Sequence, residues 1–123
     1  MAVKLIVMYP RPKDIDTFEY AYKNEHVPMA VENLTGKTKM VATKIVGSLF
    51  GTPAFHRVAE VHFPSLTALE ECAASEAGKL TIGHALSISS GGTPTVLIAE
   101  EETFVFEEAG DSATRSAVLQ ERE

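Results

Sequence analysis

The chain has 123 residues, a net charge of −6, a calculated pI of 5.2 and 45% hydrophobic residues, the profile of one globular domain. Its eleven Lys and Arg are scattered through the sequence, which argues against nucleic acid or an anionic membrane as partner, since both select clustered cations. A single cysteine, Cys72, excludes an internal disulfide and the usual thiolate zinc site, and its apolar helical setting, Ala68 to Ala74, reads as core.

Val3 to Tyr9 is a short apolar run stopped by Pro10 and Pro12, too short for a signal peptide or a span, so a cytoplasmic location is expected. As a strand it turns Val3, Leu5, Val7 and Tyr9 one way and Ile6 and Met8 the other, so both of its faces are apolar. Asp16 and Glu19 fit a reciprocal N-terminal cap, and they open a helix on which Phe18, Tyr22 and His26 share one face at steps of four. Pro28 disfavours the helical conformation at Val27, which predicts an end or kink beside His26 and a second short turn running to Leu34 and Gly36.

Lys39 to Phe50 reads as a second strand closed by the Gly51-Thr-Pro53 turn, and His56 to Phe63 as a third. Alternation in the third strand puts Arg57, Ala59, Val61 and Phe63 on one face and His56, Val58, Glu60 and His62 on the other. The first set suits helix packing, so the second is expected to face away from the helices. A helix capped by Ser65 or Thr67 follows, burying Leu66, Leu69, Cys72 and Ala73; after a joint at Glu76-Ala-Gly78, a second helical segment runs to Ile88 and stops at Ser89-Ser-Gly-Gly92. Thr95 to Ala99 is a fourth strand, with Phe104 to Phe106 as its possible extension past a charged bulge, and residues 107–123 form a polar tail.

The order strand, helix, strand, strand, helix, strand is the ferredoxin-like βαββαβ pattern of an α+β protein, with both helices on one face of a four-stranded antiparallel sheet. Two helices cover one face only. The apolar second face therefore predicts a homodimer through the sheet face, closing a dimeric α+β barrel.

Val3 to Pro10, the Phe18-x-x-x-Tyr22-x-x-x-His26-x-Pro28 segment, Val58 to Phe63 followed by Ser65-Leu66, and Ser75-Glu-Ala-Gly78 together resemble EthD-like proteins, a family of the dimeric α+β barrel group. The likeness spans residues 3–106, so a domain over 1–106 and a tail over 107–123 are expected. It implies a homodimer with a cavity in each subunit, bounded by sheet and helices. The wider group includes cyclases, lactone isomerases, cofactor-independent monooxygenases and haem-handling proteins, among which fold alone does not choose. Thr81-Ile-Gly-His84 stands where the family pattern has an aromatic or acidic position, and the C-terminal extension has no counterpart in it.

His26 is the first candidate for a general acid or base; the other reading is a structural histidine bonding backbone at the helix break. Tyr9 and Tyr22 are either hydrogen-bond donors to a substrate oxygen or amphipathic core residues. Glu60 and His62 form either a substrate-binding and catalytic pair or a polar interface pair, being about 7 Å apart along a strand. His56, Glu60 and His62 match no metal-ligand signature, so no metal is expected, and His84, without an acidic neighbour in sequence, reads as surface or packing. No phosphate loop or nucleophile elbow is present, and no cofactor is expected. The leading expectation is a cofactor-free isomerase, cyclase or oxygenase that acts on a small apolar or aromatic oxygenated metabolite by His-mediated proton transfer. The alternative is a non-catalytic small-molecule-binding or accessory protein.

Overall fold

A computed structural model describes residues 2–107. The chain runs β1 (Val3–Pro10), α1 (Ile15–Ala21), a π-helical turn (Tyr22–His26), α2 (Val27–Asn33), β2 (Lys39–Lys44), β3 (Phe55–Phe63), α3 (Leu66–Ala74), α4 (Glu76–Ile88) and β4 (Thr95–Glu100). The strands form one antiparallel sheet in the order β2-β3-β1-β4, which with the helices makes the expected ferredoxin-like α+β fold. Residues 101–107 form no strand, so Phe104 to Phe106 does not extend β4. Apart from Glu107, the expected tail lies outside the described residues.

The first helical stretch starts earlier than its sequence suggests. Asp14, in extended conformation, accepts from the Thr17 backbone N–H at 3.1 Å and is the N-cap; Asp16 lies inside the first turn, where its charge complements the helix dipole. Nor does the helix break at Pro28. His26 and Val27 keep right-handed helical angles, and the Val27 N–H reaches back to the Tyr22 carbonyl in a π turn. That wider turn draws the backbone carbonyls out of the regular α-helical path where the pyrrolidine ring would otherwise meet one, so the chain stays helical through the proline. The turn holds Tyr22 and His26, both buried.

Ser65 caps α3 by accepting from the Ala68 N–H. The joint between α3 and α4 is Ser75, one residue before the expected one: its Oγ donates to the Cys72 carbonyl and accepts from the Gly78 N–H, ending one helix and starting the next. A Cβ at Gly78 would run into the Cys72 carbonyl, so this close approach requires glycine. Leu66, expected in the core, is 46% exposed and borders a hollow that it shares with Val3 and the edge strand β4.

The core under the helices has two parts. Val3, Leu5, Leu34, Val61, Phe63, Leu69 and Cys72 pack at one end, an aliphatic cluster with one phenyl ring. Tyr9, Phe18, Tyr22 and Ala85 pack at the other, with Val27 and Ile88 against them. Cys72 is buried in the first part, and burial pushes its thiol pKa up, as expected of an inert core cysteine. The aromatic second part surrounds the candidate site.

Strand register explains one departure from simple alternation. β1 and β3 pair regularly from Val3 with Phe63 to Tyr9 with Arg57, but Pro10 pairs with Phe55, so β3 carries one extra residue at His56. Pro10 has no N–H to give the ladder, and the pairing shifts at this point. The bulge turns both His56 and Arg57 to the helix side, where both are buried. His56 therefore does not share a face with Glu60 and His62.

Candidate functional site

From β1, Tyr9 points under the helices; from the π turn, Tyr22 and His26 point down to meet it. Tyr9 and Tyr22 lie edge to face with ring centroids 5.5 Å apart, and Tyr9 and His26 meet likewise at 6.4 Å. Along the helix the rings stack in sequence, Phe18 on Tyr22 at 5.6 Å and Tyr22 on His26 at 6.0 Å. His84 of α4 continues the stack, its ring 5.2 Å from that of His26 and 9° from parallel. Thus the steps of four seen in sequence become a ladder of rings, with an imidazole pair at its end.

Tyr9, Tyr22 and His26 border a cavity of about 40 Å³ between sheet and helices, walled by Leu5, Val7, Val27, Met40, Ile82 and other apolar side chains. As folded it has room for a few water molecules. Its polar lining comes from Tyr9, Tyr22, His26 and Thr81, and no charged side chain reaches it. The Thr81 hydroxyl is already used, donating to the Ala77 carbonyl of its own helix. Tyr9 Oη is buried without a hydrogen-bond partner.

Burial, and the neighbouring His84, depress the His26 pKa to about 4, so at neutral pH the imidazole carries no charge. Its Nδ1 is 2.9 Å from His84 Nδ1, a distance at which one ring donates and the other accepts. His84 Nε2 lies 3.8 Å from Glu25 Oε1, one helical turn from Ala21 on the facing element. Burial raises the pKa values of both Tyr9 and Tyr22, keeping each phenol protonated.

Behind the ladder sits a buried ion network. Glu19 accepts from Arg57 Nε and Nη2 at 2.9 and 2.7 Å, a bidentate pair, and its Oε2 is 2.9 Å from His56 Nε2. Arg57 Cζ is 4.9 Å from the centre of the Tyr22 ring, within cation–π range. The network fixes the outer side of Tyr22 while the cavity lies on its inner side.

His62 and Glu60 are elsewhere. They lie on the opposite face of the sheet, where Lys4, Lys39, Val41, Glu101 and Thr103 join them around a hollow of about 230 Å³. Lys4 bridges Glu60 at 2.8 Å and Glu101 at 3.4 Å, and His62 Nδ1 is 3.7 Å from Glu101. Burial and the nearby Lys39 ammonium lower the His62 pKa. Of the five expected site residues, the structure brings together Tyr9, Tyr22 and His26, and the sheet separates them from Glu60 and His62. His84, read from sequence as surface or packing, joins the first group. Its signal was positional: it directly precedes Ala85 and follows Thr81 by three, and both of these face the core. Among the described residues no group of three or more His, Cys, Asp or Glu is arranged to hold a metal ion, and no helix is long and apolar enough to cross a membrane.

No protein-family model and no curated protein sequence matches the chain. Solved structures do. An EthD family protein from Bacillus halodurans C-125 is 31% identical with a TM-score of 0.76, over 83% of this chain and all of its own. A dimeric ferredoxin-like protein of unknown function from Jannaschia is 15% identical at a TM-score of 0.61, over 82% of this chain and all of its own. SnoaB, a cofactor-independent oxygenase from Streptomyces nogalater, is 12% identical at a TM-score of 0.60, over 86% of this chain and 98% of its own. The last two likenesses concern the fold alone.

Proposed function

The chain belongs to the EthD family, and on that premise we propose that it is a cofactor-free enzyme that moves a proton on a small apolar or aromatic oxygenated metabolite, with His26 as the base. The observation that carries this reading is a neutral imidazole bordering an apolar cavity, its Nδ1 held by His84 and its Nε2 free of any such bond. Neutral at physiological pH, His26 is in the form that accepts a proton from a bound compound, and the burial that holds its pKa near 4 makes it a weaker base than a free imidazole. Tyr9 and Tyr22 serve as oxygen-binding donors beside it. The π turn that presents His26 supports the same reading, since such turns recur at functional sites. Isomerisation, cyclisation and oxygenation all begin with such a proton transfer, and the oxygenase among the structural neighbours fits the last.

At about 40 Å³ the cavity is well below the roughly 300 Å³ of ordinary ligand pockets, so a metabolite enters only as the wall gives way. Replacing His26 by Ala should lower turnover by about 10²- to 10⁴-fold. Unchanged turnover in a correctly folded variant would exclude His26 as the base. A second reading rests on the His26–His84 contact, which already satisfies one nitrogen of each ring. In that reading the protein binds a metabolite without changing it, and ligand affinity survives the loss of His26.

The functional unit in this proposal is a homodimer closed through the uncovered sheet face. Ile6, Met8 and Val58 are only partly covered there, and Leu97 is exposed. Val46, Leu49 and Phe50 of the β2–β3 loop and Phe104 and Phe106 beyond β4 are also exposed, large apolar side chains that a second subunit could cover. His62 and Glu60 then lie inside the dimer as a polar cluster. Sedimentation at micromolar concentration should give the dimer mass; a compact monomer would sink this part of the proposal.

A further inference from the structure

Two residues of the cavity lining, Tyr9 and His26, each carry a polar atom with hydrogen-bonding capacity to spare. Tyr9 is fully buried and belongs to the cavity lining, and its Oη has no partner within the protein. Buried hydroxyls in native proteins are nearly always paired, so one left over beside a cavity marks a position where a ligand supplies the acceptor. Because burial keeps the phenol protonated, the group offers a donor.

The second atom is His26 Nε2, and its state follows from its neighbours. The Glu25 carboxylate, 3.8 Å from His84 Nε2, favours an N–H at that nitrogen. Carrying its proton at Nε2 alone, His84 presents a lone pair at Nδ1. His26 must then donate from its own Nδ1 across the 2.9 Å contact, which leaves a bare lone pair on His26 Nε2. The chain Glu25, His84, His26 thus sets which nitrogen can take a proton.

We propose that Tyr9 Oη and His26 Nε2 form a donor and acceptor pair for an enolisable carbonyl compound, with His84 and Glu25 as positioning residues that hold His26 in its Nδ1–H tautomer. This rests on the proton-transfer reading of His26 and names its substrate class. His26 Nε2 takes a proton from the carbon next to the carbonyl. The C–H electron pair becomes a C=C bond, and the carbonyl π pair moves onto oxygen, where the Tyr9 O–H meets the developing charge. Return of the proton to that carbon, or to a conjugated one, completes an exchange or an isomerisation without oxidant or co-reactant. The wall narrows the class further. With no charged side chain in the lining, a carboxylate or phosphate on the ligand would be buried unpaired, so the substrate is an uncharged ketone or lactone with a hydrocarbon body.

The probe is cyclohexanone, a small uncharged ketone whose α protons exchange slowly with deuterium in neutral buffer, followed by proton NMR. The full chain should accelerate the exchange, and Tyr9→Phe should reduce the acceleration by about 100-fold, the usual cost of one lost donor to a developing oxyanion. The same variant should melt at a higher temperature, because an unpaired buried hydroxyl has been removed. Proton–nitrogen correlation spectra should find His26 protonated at Nδ1 in the unsubstituted chain and at Nε2 in His84→Phe. Absence of acceleration by the unsubstituted chain overturns the substrate class, full activity in Tyr9→Phe overturns the donor, and an Nε2–H tautomer in the unsubstituted chain overturns the positioning roles. Loss of activity in Tyr9→Phe but not in His26→Ala would strike the reading of His26 as base. The reverse pattern would strike only the role given to Tyr9.

Discussion

Glu19→Gln is the substitution through which the ion network behind the ring ladder is best measured. The Arg57 guanidinium, followed by His56, holds the Glu19 carboxyl at a pKa of about 2 against an ordinary 4.5, while burial opposes them. Its side chain is only 12% exposed, so solvent screening removes little of the effect. The displacement corresponds to about 3 kcal/mol of folding stability, counted once because the upward shift of Arg57 is the same interaction. The sign is that of a depressed carboxylate: the contribution is complete above the unfolded-state pKa near 4.5 and is lost as pH falls through the folded-state value near 2. Glutamine keeps the shape but leaves a buried guanidinium without its counter-charge, a loss of about 3 to 5 kcal/mol when one partner of a buried pair is removed. Urea unfolding at about pH 7 should therefore show Glu19→Gln less stable by about 3 kcal/mol, and at about pH 3 the gap should have shrunk by more than half. A gap below about 1 kcal/mol at neutral pH, or one of the same size at both pH values, would refute the account of Glu19 as a buried counter-ion.

His26 makes a contribution in a different pH window. Because its folded pKa, about 4, lies below the unfolded 6.5, the unfolded chain binds the proton first, and stability should fall by about 2 kcal/mol between about pH 7 and pH 5. Thermal melts of His26→Gln should lack that fall. Gly78→Ala forces a methyl group into the Cys72 carbonyl at the α3–α4 joint and should cost about 1 to 3 kcal/mol in urea unfolding, whereas the same change at an exposed helical glycine stabilises by about 0.5 to 1 kcal/mol. Ile6→Asp puts a charge on the uncovered sheet face, opposite Glu60 in the neighbouring strand; sedimentation should show monomers, with a circular dichroism spectrum unchanged.

Much of the fold was legible because the periodicities of strand and helix are strong here. From residues 57 to 63 alternation assigned each side chain of β3 to its face, and steps of four put Phe18, Tyr22 and His26 in one row. Three features were hidden for physical reasons. The bulge at His56 is set by pairing with Pro10, forty-six positions away, and a single extra residue reverses the alternation before it. The π turn at Tyr22 allows a proline that otherwise predicts a break, and nothing local distinguishes the two outcomes. His84 belongs to the site only because α4 crosses the helix that carries His26. One clue was available without the structure: Arg57 alternates with Ala59, Val61 and Phe63 on a core face, and a buried guanidinium there requires a carboxylate. Glu19, next to Phe18 on the helix that covers the sheet, is that carboxylate.

The bulge is what joins these observations into one arrangement. Without it, His56 would turn with Glu60 and His62 to the uncovered face of the sheet, and Glu19 would keep Arg57 alone. With it, Glu19 holds both basic groups and Arg57 rests on the Tyr22 ring. Tyr22 is thereby clamped between a charge network on one side and the Tyr9 and His26 rings on the other. Polar groups that must be satisfied are gathered behind the ladder, and those with capacity to spare, Tyr9 Oη and His26 Nε2, belong to residues that line the apolar cavity. A core stabilised only by packing would have no reason to leave a phenol unpaired at complete burial, since that raises the free energy of the folded chain by about 1 to 3 kcal/mol. Phenylalanine at position 9 would avoid the cost and fill nearly the same volume. That tyrosine stands there instead is the strongest physical reason for treating the aromatic end of the cavity as a place where an oxygen atom binds.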